Sequence, residues 1–318
     1  MRTYQDTKEI CTTALKHTDL MEVRKILDGV GTDPSAVAEM VKNTAHFGWK
    51  AETWEPLQRE CEKRGIGVDS CALQRYVLLQ TGVRYLDSVA RLPVVNSVKQ
   101  LIYDEFQFVA QPQPELLPLF APMGRTFRVM CKILLLERFP AGQQHIEVSG
   151  VPRSWLFQVP KRDLPATLRY ILFELKGFKP LFTSHTAVRR DLAGALLESE
   201  ARQSQYRVAR TLELQPQIGG YFGGSWFEDP DLPRFSPHLK WLLEFAYEAQ
   251  RYGAFLTYRG YAPEDAGFLI GDARRRRAYQ EGKWRPKISL LLWSRESLIR
   301  WAADNRDLEK NENLEEPD

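Results

Sequence analysis

YFGGSWFEDPDLPRFSPH, residues Tyr221 to His238, reads as a short buried strand, a turn crowded with carboxylates and prolines, and the start of a capped helix. The Asp229-Pro230 step suits the turn, because an aspartate there hydrogen-bonds its own backbone. Ser236 and Pro237 then supply an N-cap and a first helical residue for HLKWLLEFAYEAQRYG, which stops at Gly253. Ligands of open α/β sheets collect at strand-to-helix turns of this kind.

The pattern repeats on both sides of this stretch. Upstream, PLFTSH (Pro180 to His185) reads as a strand, followed by a long helix from Arg189 to Leu214. Downstream come the strand AFLTY (Ala254 to Tyr258), a helix from Asp272 to Gly282, the apolar strand ISLLLW (Ile288 to Trp293) and a last helix capped by Ser294. Earlier still, IEV (Ile146 to Val148), the turn SGVPR and SWLFQV (Ser154 to Val159) read as a β-hairpin. Asp163 caps a helix striped by Leu168, Ile171, Leu172 and Leu175 and ended by Gly177. Strand-helix alternation implies parallel crossovers and a sheet covered on both faces. The expectation is an α/β fold, with α+β as the alternative: a helical N-terminal part, then a mixed, largely parallel sheet flanked by helices.

Residues 1–110 are punctuated as helices. Asp33 and Pro34 open SAVAEMVKNTAHFGW, Thr53 caps TWEPLQRECEKRG, Asp69 opens DSCALQRYVLLQ, and Pro93 opens PVVNSVKQLIYDEFQFVA. In the last of these Val98, Leu101, Ile102, Glu105, Phe108 and Val109 follow helical spacing. Phe47, Trp49 and Trp54 form a local aromatic group that suits inter-helix packing and leaves room for a protein partner. Gln111 to Pro122 holds four prolines, which exclude a helix interior. Residues 111–142 therefore read as a connector, 143–303 as the α/β catalytic part, and 304–318 as an acidic disordered tail.

At 318 residues and 43% apolar, the chain is long enough for two cored units. Its net charge is +3, but the tail from Asp304 carries seven acids against two bases, which leaves +8 on the rest. That moderate excess suits an anionic small ligand and is too dilute for nucleic acid. Cys11, Cys61, Cys71 and Cys131 have neither CxxC nor metal-ligand spacing, as buried thiols of a reducing compartment would. The N-terminus has no apolar signal core, and no apolar run is long enough to span a bilayer. The expected location is cytoplasmic, with no membrane partner.

In a parallel arrangement the functional residues would follow the strand ends. His185 is a general-base candidate after PLFTS, since imidazole titrates near neutrality; a structural histidine is the equal alternative. Glu228 and Asp229 are candidates for an acid/base or amine-orienting pair, against the plainer reading of Asp229 as a turn builder. Arg259 and Arg295 follow two further strands, and Arg274 to Arg277 form a cationic run that would meet a donor phosphate or lie in solvent. A His185-carboxylate metal site is a third option, without HxD or HxE spacing to support it; no residue is assigned as a metal ligand. Gly219, Gly220, Gly223 and Gly224 would allow close backbone approach, to a ligand or to neighbouring aromatics.

From Tyr221 to Trp293 the strand-helix-strand-helix-strand order resembles the C-terminal half of GNAT acyltransferases. GGSWF, the helix from Pro237, AFLTY and ARRRRAYQEGKWRPKISLLLW carry the likeness, and AYQEGKW resembles that family's step into its final strand. The segment EDPDLPRFSPHL, which would hold the family's pyrophosphate loop, has no glycine. The resemblance implies an acyl-CoA lying beside YFGGSWF and a role for Tyr279 near the thioester.

The function expected from these residues is group transfer: an acyltransferase acting on a small amine-bearing metabolite. His185, Glu228, Asp229 and Tyr279 form the catalytic set. Arg259, Arg274, Arg277 and Arg295 would hold the anionic end of the donor. The alternatives are a non-catalytic helical binding or scaffold protein and a metal-assisted enzyme with a His/carboxylate site.

Overall fold

The computed structural model describes residues 4–16, 18–29, 31, 33–42, 63, 71–111, 125–186, 196–262 and 272–309. The aromatic group at Phe47, Trp49 and Trp54, the helix from Thr53, the proline-rich 112–122, Arg189 and residues 310–318 lie outside that set. Two compact units divide the chain: Met1–Leu92 with Asn96–Pro140, and Pro93–Val95 with Ala141–Asp318.

The first unit is built from helices α1 (Tyr4–Ala14), α2 (Thr18–Gly29), α3 (Pro34–Lys42), α4 (Cys71–Val89), α5 (Asn96–Ala110) and α6 (Arg125–Leu134). The apolar segment FRVMCKILLLERF, residues 127–139, is helical over its first part. Asp33 opens α3 as its spacing implies, accepting from the Ser35 amide at 3.0 Å. Val98, Ile102, Phe106 and Val109 of α5 are buried at helical intervals, with Val77, Leu86 and Phe127 also in the core. Gln107 ties α5 to α1 by donating to the Thr7 hydroxyl at 2.9 Å.

The second unit carries the sheet. Its strands are β2 (Gln144–Ser149), β3 (Leu181–Thr186), β4 (Gly220–Gly223), β5 (Phe255–Tyr261) and β6 (Lys287–Ser294), preceded in the chain by the short β1 (Arg138–Pro140). Within the second unit the strand order is β2-β3-β4-β6-β5. β3 and β4 pair parallel, while β2–β3, β4–β6 and β5–β6 pair antiparallel. The α/β expectation of a mixed sheet with flanking helices therefore stands, but with less parallel pairing than alternation alone implied. The reason is β6. It enters antiparallel between β4 and β5, so those two strands keep a common direction without touching.

Two sequence expectations are corrected nearby. SWLFQV is not a strand: Arg153–Leu156 forms a short helix, α7, and β2 pairs with β3 instead. The helix after Asp163 begins as α8 (Leu164–Arg169) and ends in a π turn over Tyr170–Glu174, which points Ile171 inward and leaves Leu172 exposed.

Side chains alternate across a strand, and the register assigns the two faces. On one, Leu181, Phe222, Leu290 and Leu292 pack with Val151, Val159, Ile171 and Leu175. On the other lies Trp293, ringed edge-on by Phe245 at 6.1 Å and Trp301 at 5.6 Å. Those partners come from α11 (Lys240–Arg251), which follows the short α10 (Leu232–Phe235), and from α13 (Arg295–Asp304). α9 (Glu198–Glu213) joins them: Arg202 grips Glu248 bidentately at 2.6 and 3.0 Å, and the Trp301 indole donates to the same carboxylate at 2.8 Å. Gly219 and Gly220 are needed for packing, since a Cβ there would lie 2.3 Å from the Leu175 carbonyl oxygen and 2.4 Å from that of Trp293. No described helix is long and apolar enough to cross a membrane.

Candidate functional site

Since β3, β4 and β5 share a direction, their carboxyl ends open on one rim. His185 closes β3, the turn with Glu228 and Asp229 follows β4, and Arg259 lies near the end of β5. β6 runs the other way, so its last residues and Arg295 belong to the opposite rim. Arg295 is there a helix clamp: its guanidinium donates to the carbonyls of Leu212, Gln215 (2.9 Å) and Glu213 (3.4 Å), closing the end of α9.

The shared rim has two faces, and the candidates divide between them. His145 opposes His185 in the β2–β3 register, and Glu147 opposes Thr183. His185 and Glu147 thus share a face, with Nε2 3.2 Å from the Glu147 carboxylate. Trp155 packs edge-on to Phe222 on that same face, at 6.0 Å. Arg259 stacks 3.7 Å above the Trp155 ring and donates to the Gln158 side chain at 2.8 Å. Its guanidinium is held below the usual arginine range by desolvation. A Cβ on Gly224 would lie 2.9 Å from the same indole, so this glycine makes room for tryptophan.

Glu228 belongs to the other face. Ser289, one residue before inward-facing Leu290 and opposite Tyr258, donates to the Glu228 carboxylate at 2.7 Å. The Tyr258 hydroxyl donates to the Glu228 backbone carbonyl at 3.0 Å. Tyr221 reaches the Gln144 amide oxygen at 3.4 Å. With Ser184 it sits over Gly223, where a Cβ would lie 3.4 Å from the Tyr221 hydroxyl and 3.5 Å from Ser184 Oγ. Desolvation pushes the Glu228 carboxyl above the ordinary range, opposed by the Ser289 hydrogen bond. Both tyrosines are likewise pushed up, first by desolvation and further by the nearby Glu228 charge, so they keep their protons at neutral pH.

Ser289 also lies 2.8 Å from the Ser225 carbonyl. A hydroxyl has one proton to give and lone pairs to receive. It can donate to ionised Glu228, or accept from protonated Glu228 while donating to Ser225. The carboxyl is therefore satisfied in both protonation states, as a proton carrier requires.

Asp229 is fully buried and committed to protein donors. Its Oδ1 accepts from the Asp231 amide at 2.9 Å; Oδ2 accepts from the Trp284 indole at 3.1 Å and the Lys287 amide at 2.8 Å. This is the turn-building role, extended to pin β6. Arg274 and Arg277 lie exposed on α12 (Ala273–Gln280), with Arg277 3.2 Å from Glu281. Arg275 is the one turned inward, 5.1 Å over Trp226 and donating to Ser236 Oγ at 3.0 Å. Tyr279 packs against the cluster of Trp226, Leu232, Leu239, Ala278 and Trp284. Among the described residues no three His, Cys, Asp or Glu side chains gather as ion ligands.

The hydroxyls of Ser184, Tyr221, Tyr258 and Ser289 are not singled out by sequence. Ser289 has a signal, as the one polar residue within ISLLLW. The others become visible only through register.

β3 and β4 register over only Phe182↔Tyr221 and Thr183↔Phe222, although β3 continues to Thr186. β4 ends one residue further on at Gly223, beside Ser184.

No family model and no curated protein matches the sequence. Among solved structures, the chain is similar to an acyltransferase in complex with decanoyl-CoA, at 12% identity and TM-score 0.48, over 86% of this chain and 77% of that one. It is also similar to an acyltransferase in complex with decanoyl-CoA and teicoplanin, at 15% identity and TM-score 0.43, over 69% of this chain and 66% of that one, just under two thirds of its length.

Proposed function

We propose that the second unit is the catalytic part of an acyltransferase, moving an acyl group from an acyl-CoA donor to a small amine-bearing metabolite with Glu228 as its base. One observation carries the reading: a desolvated, proton-switchable carboxyl at the strand rim, just past the end of β4. The distant structural likeness has no part in it.

An extended, amide-bearing arm such as that of acyl-CoA suits the stretch of β3 that runs on past the end of β4, because it can take up backbone hydrogen bonds there as an added strand would. Its thioester would then lie near Gly223, where the absent side chain leaves space under the Tyr221 hydroxyl. The amine nitrogen attacks the thioester carbonyl and passes its proton to the Glu228 carboxylate. The carbon-sulfur bond breaks with its electrons leaving on the thiolate. A carboxyl raised above the ordinary range is a stronger base than an ordinary glutamate. Tyr221, kept protonated, can donate to the oxygen that gains charge.

The experiment is free-thiol release from acyl-CoA in the presence of primary amines, run beside thermal shift with acyl-CoA and with CoA. Stabilisation by acyl-CoA and turnover lost in Glu228→Gln are the expected results. Absence of any shift with either ligand would overturn the donor assignment.

A further inference from the structure

Residues 151–179 cover the sheet face opposite Glu228. They run through α7, α8 and the π turn, and their inward residues Val151, Val159, Ile171 and Leu175 belong to the core. Their outward residues are unusual. Phe157 is 92% exposed, Phe173 73% and Leu172 52%. A large aromatic almost wholly in water is a cost that a soluble surface ordinarily avoids, and several on one side mark an interaction surface.

The charge around them is mostly positive, although Lys176 lies 3.5 Å from Glu296. Arg153, Lys161, Arg162, Arg169, Lys176 and Lys179 all lie exposed in this segment, against the acids Asp163 and Glu174, a net of +4. Asp163 is already 3.5 Å from Arg162. Apolar anchors on a segment of net positive charge are complementary to a surface that is apolar below and negative above. A second copy of the chain does not fit, because patch on patch would oppose two sets of like charges. The phenylalanines stand proud on separate short elements, which suits a fluid layer that yields around them.

We propose that this face of the second unit docks on an anionic lipid surface, with Phe157 and Phe173 entering the headgroup-acyl boundary and the cations lying over the headgroups. The inference does not depend on the chemistry assigned to Glu228. It replaces the expectation of no membrane partner, which came from searching for a spanning run; a patch gathered from three short elements leaves no such run.

The test is co-sedimentation of the full chain with vesicles of phosphatidylcholine alone and of phosphatidylcholine with roughly one-third phosphatidylserine. Binding is expected to the anionic vesicles and not to the neutral ones. Phe157→Ser and Phe173→Ser should each weaken it roughly ten-fold, the loss of one buried aromatic. Lys161→Glu with Arg162→Glu should abolish it, as should salt at about 0.5 M, where screening is strong. Both phenylalanines are exposed, so these variants should fold, which circular dichroism checks. No binding to anionic vesicles would overturn the proposal, as would equal binding by the serine variants. Binding to polyglutamate with none to vesicles would overturn it in favour of an acidic protein, and a dimer that dissociates in Phe157→Ser would do so in favour of self-association.

Discussion

Replacing Asp229 by alanine should damage the fold while leaving the chemistry of Glu228 formally intact. The Asp229 carboxylate is fully buried and accepts three hydrogen bonds, from the Asp231 amide, the Trp284 indole and the Lys287 amide. Hydrogen bonds to a charged group contribute about 1.5–3 kcal/mol each. They share one acceptor group, so the losses do not simply add, and Asp229→Ala should destabilise the second unit by about 3–5 kcal/mol. Asp229→Asn keeps the volume. Whichever way its amide turns, however, an N–H faces a donor that needs an acceptor, and about half of that loss should remain. Urea denaturation followed by tryptophan fluorescence reads the effect, since six of the eight tryptophans lie at position 155 or beyond. The midpoint should fall with little change in slope. A loss below about 1 kcal/mol would refute the structural role, and an unchanged midpoint with turnover abolished would return Asp229 to the catalytic set.

Glu248 is held below the ordinary carboxylate range, chiefly by its hydrogen bond to Arg202 and also by that to Trp301. A depressed folded value means stability that is present above the unfolded carboxylate range and lost as pH falls through the folded one. Acid titration should therefore weaken the α9–α11–α13 contact, and Glu248→Gln should flatten that part of the stability profile. Burial pushes the Cys11 thiol up to about 11 and the Cys131 thiol further still. In the native protein at mildly alkaline pH, peptide mapping after alkylation should find both unmodified, and rapid labelling of either would contradict the burial. Gly219→Ala would set a Cβ 2.3 Å from the Leu175 carbonyl oxygen, so it should lower the melting temperature by several degrees, and an unchanged melt would show that the backbone yields there.

The fold is legible where local pattern and burial agree. Ser294 caps α13 as its position implies, accepting from the Ser297 amide, and Asp272 does the same for α12 through Arg275. SWLFQV misleads because a short apolar run fits either element. Trp155, Leu156 and Val159 pack into the core, while Phe157 turns to solvent. The rule for parallel strand ends draws Arg295 into the ligand set, and the antiparallel entry of β6 carries it to the other rim. In the cationic run, helical spacing already groups Arg275 with Ala278 and Tyr279, and those are the residues that turn inward.

The site is legible only in part. Glu228 stands out in its acidic turn, and the Asp-Pro step signals the turn role of Asp229. The hydroxyls around Glu228 come from β3, β4, β5 and β6, far apart in sequence, and only the strand register sets them on one face. His185 and Arg259 do reach the rim expected of them. A one-residue difference in phase puts them on the far side of the sheet from Glu228, and sequence cannot fix phase without the pairing partner.

The central claim is that Glu228 takes the proton in an acyl transfer, and the pH dependence of kcat/KM for amine acylation tests it most directly. A base must be ionised, so the rate should rise with pH along a limb lying above the ordinary glutamate range. Glu228→Gln should lower the rate by roughly 10²–10⁴-fold and erase that limb while the protein melts normally. A Glu228→Gln enzyme with wild-type rate and an unshifted profile would contradict the account.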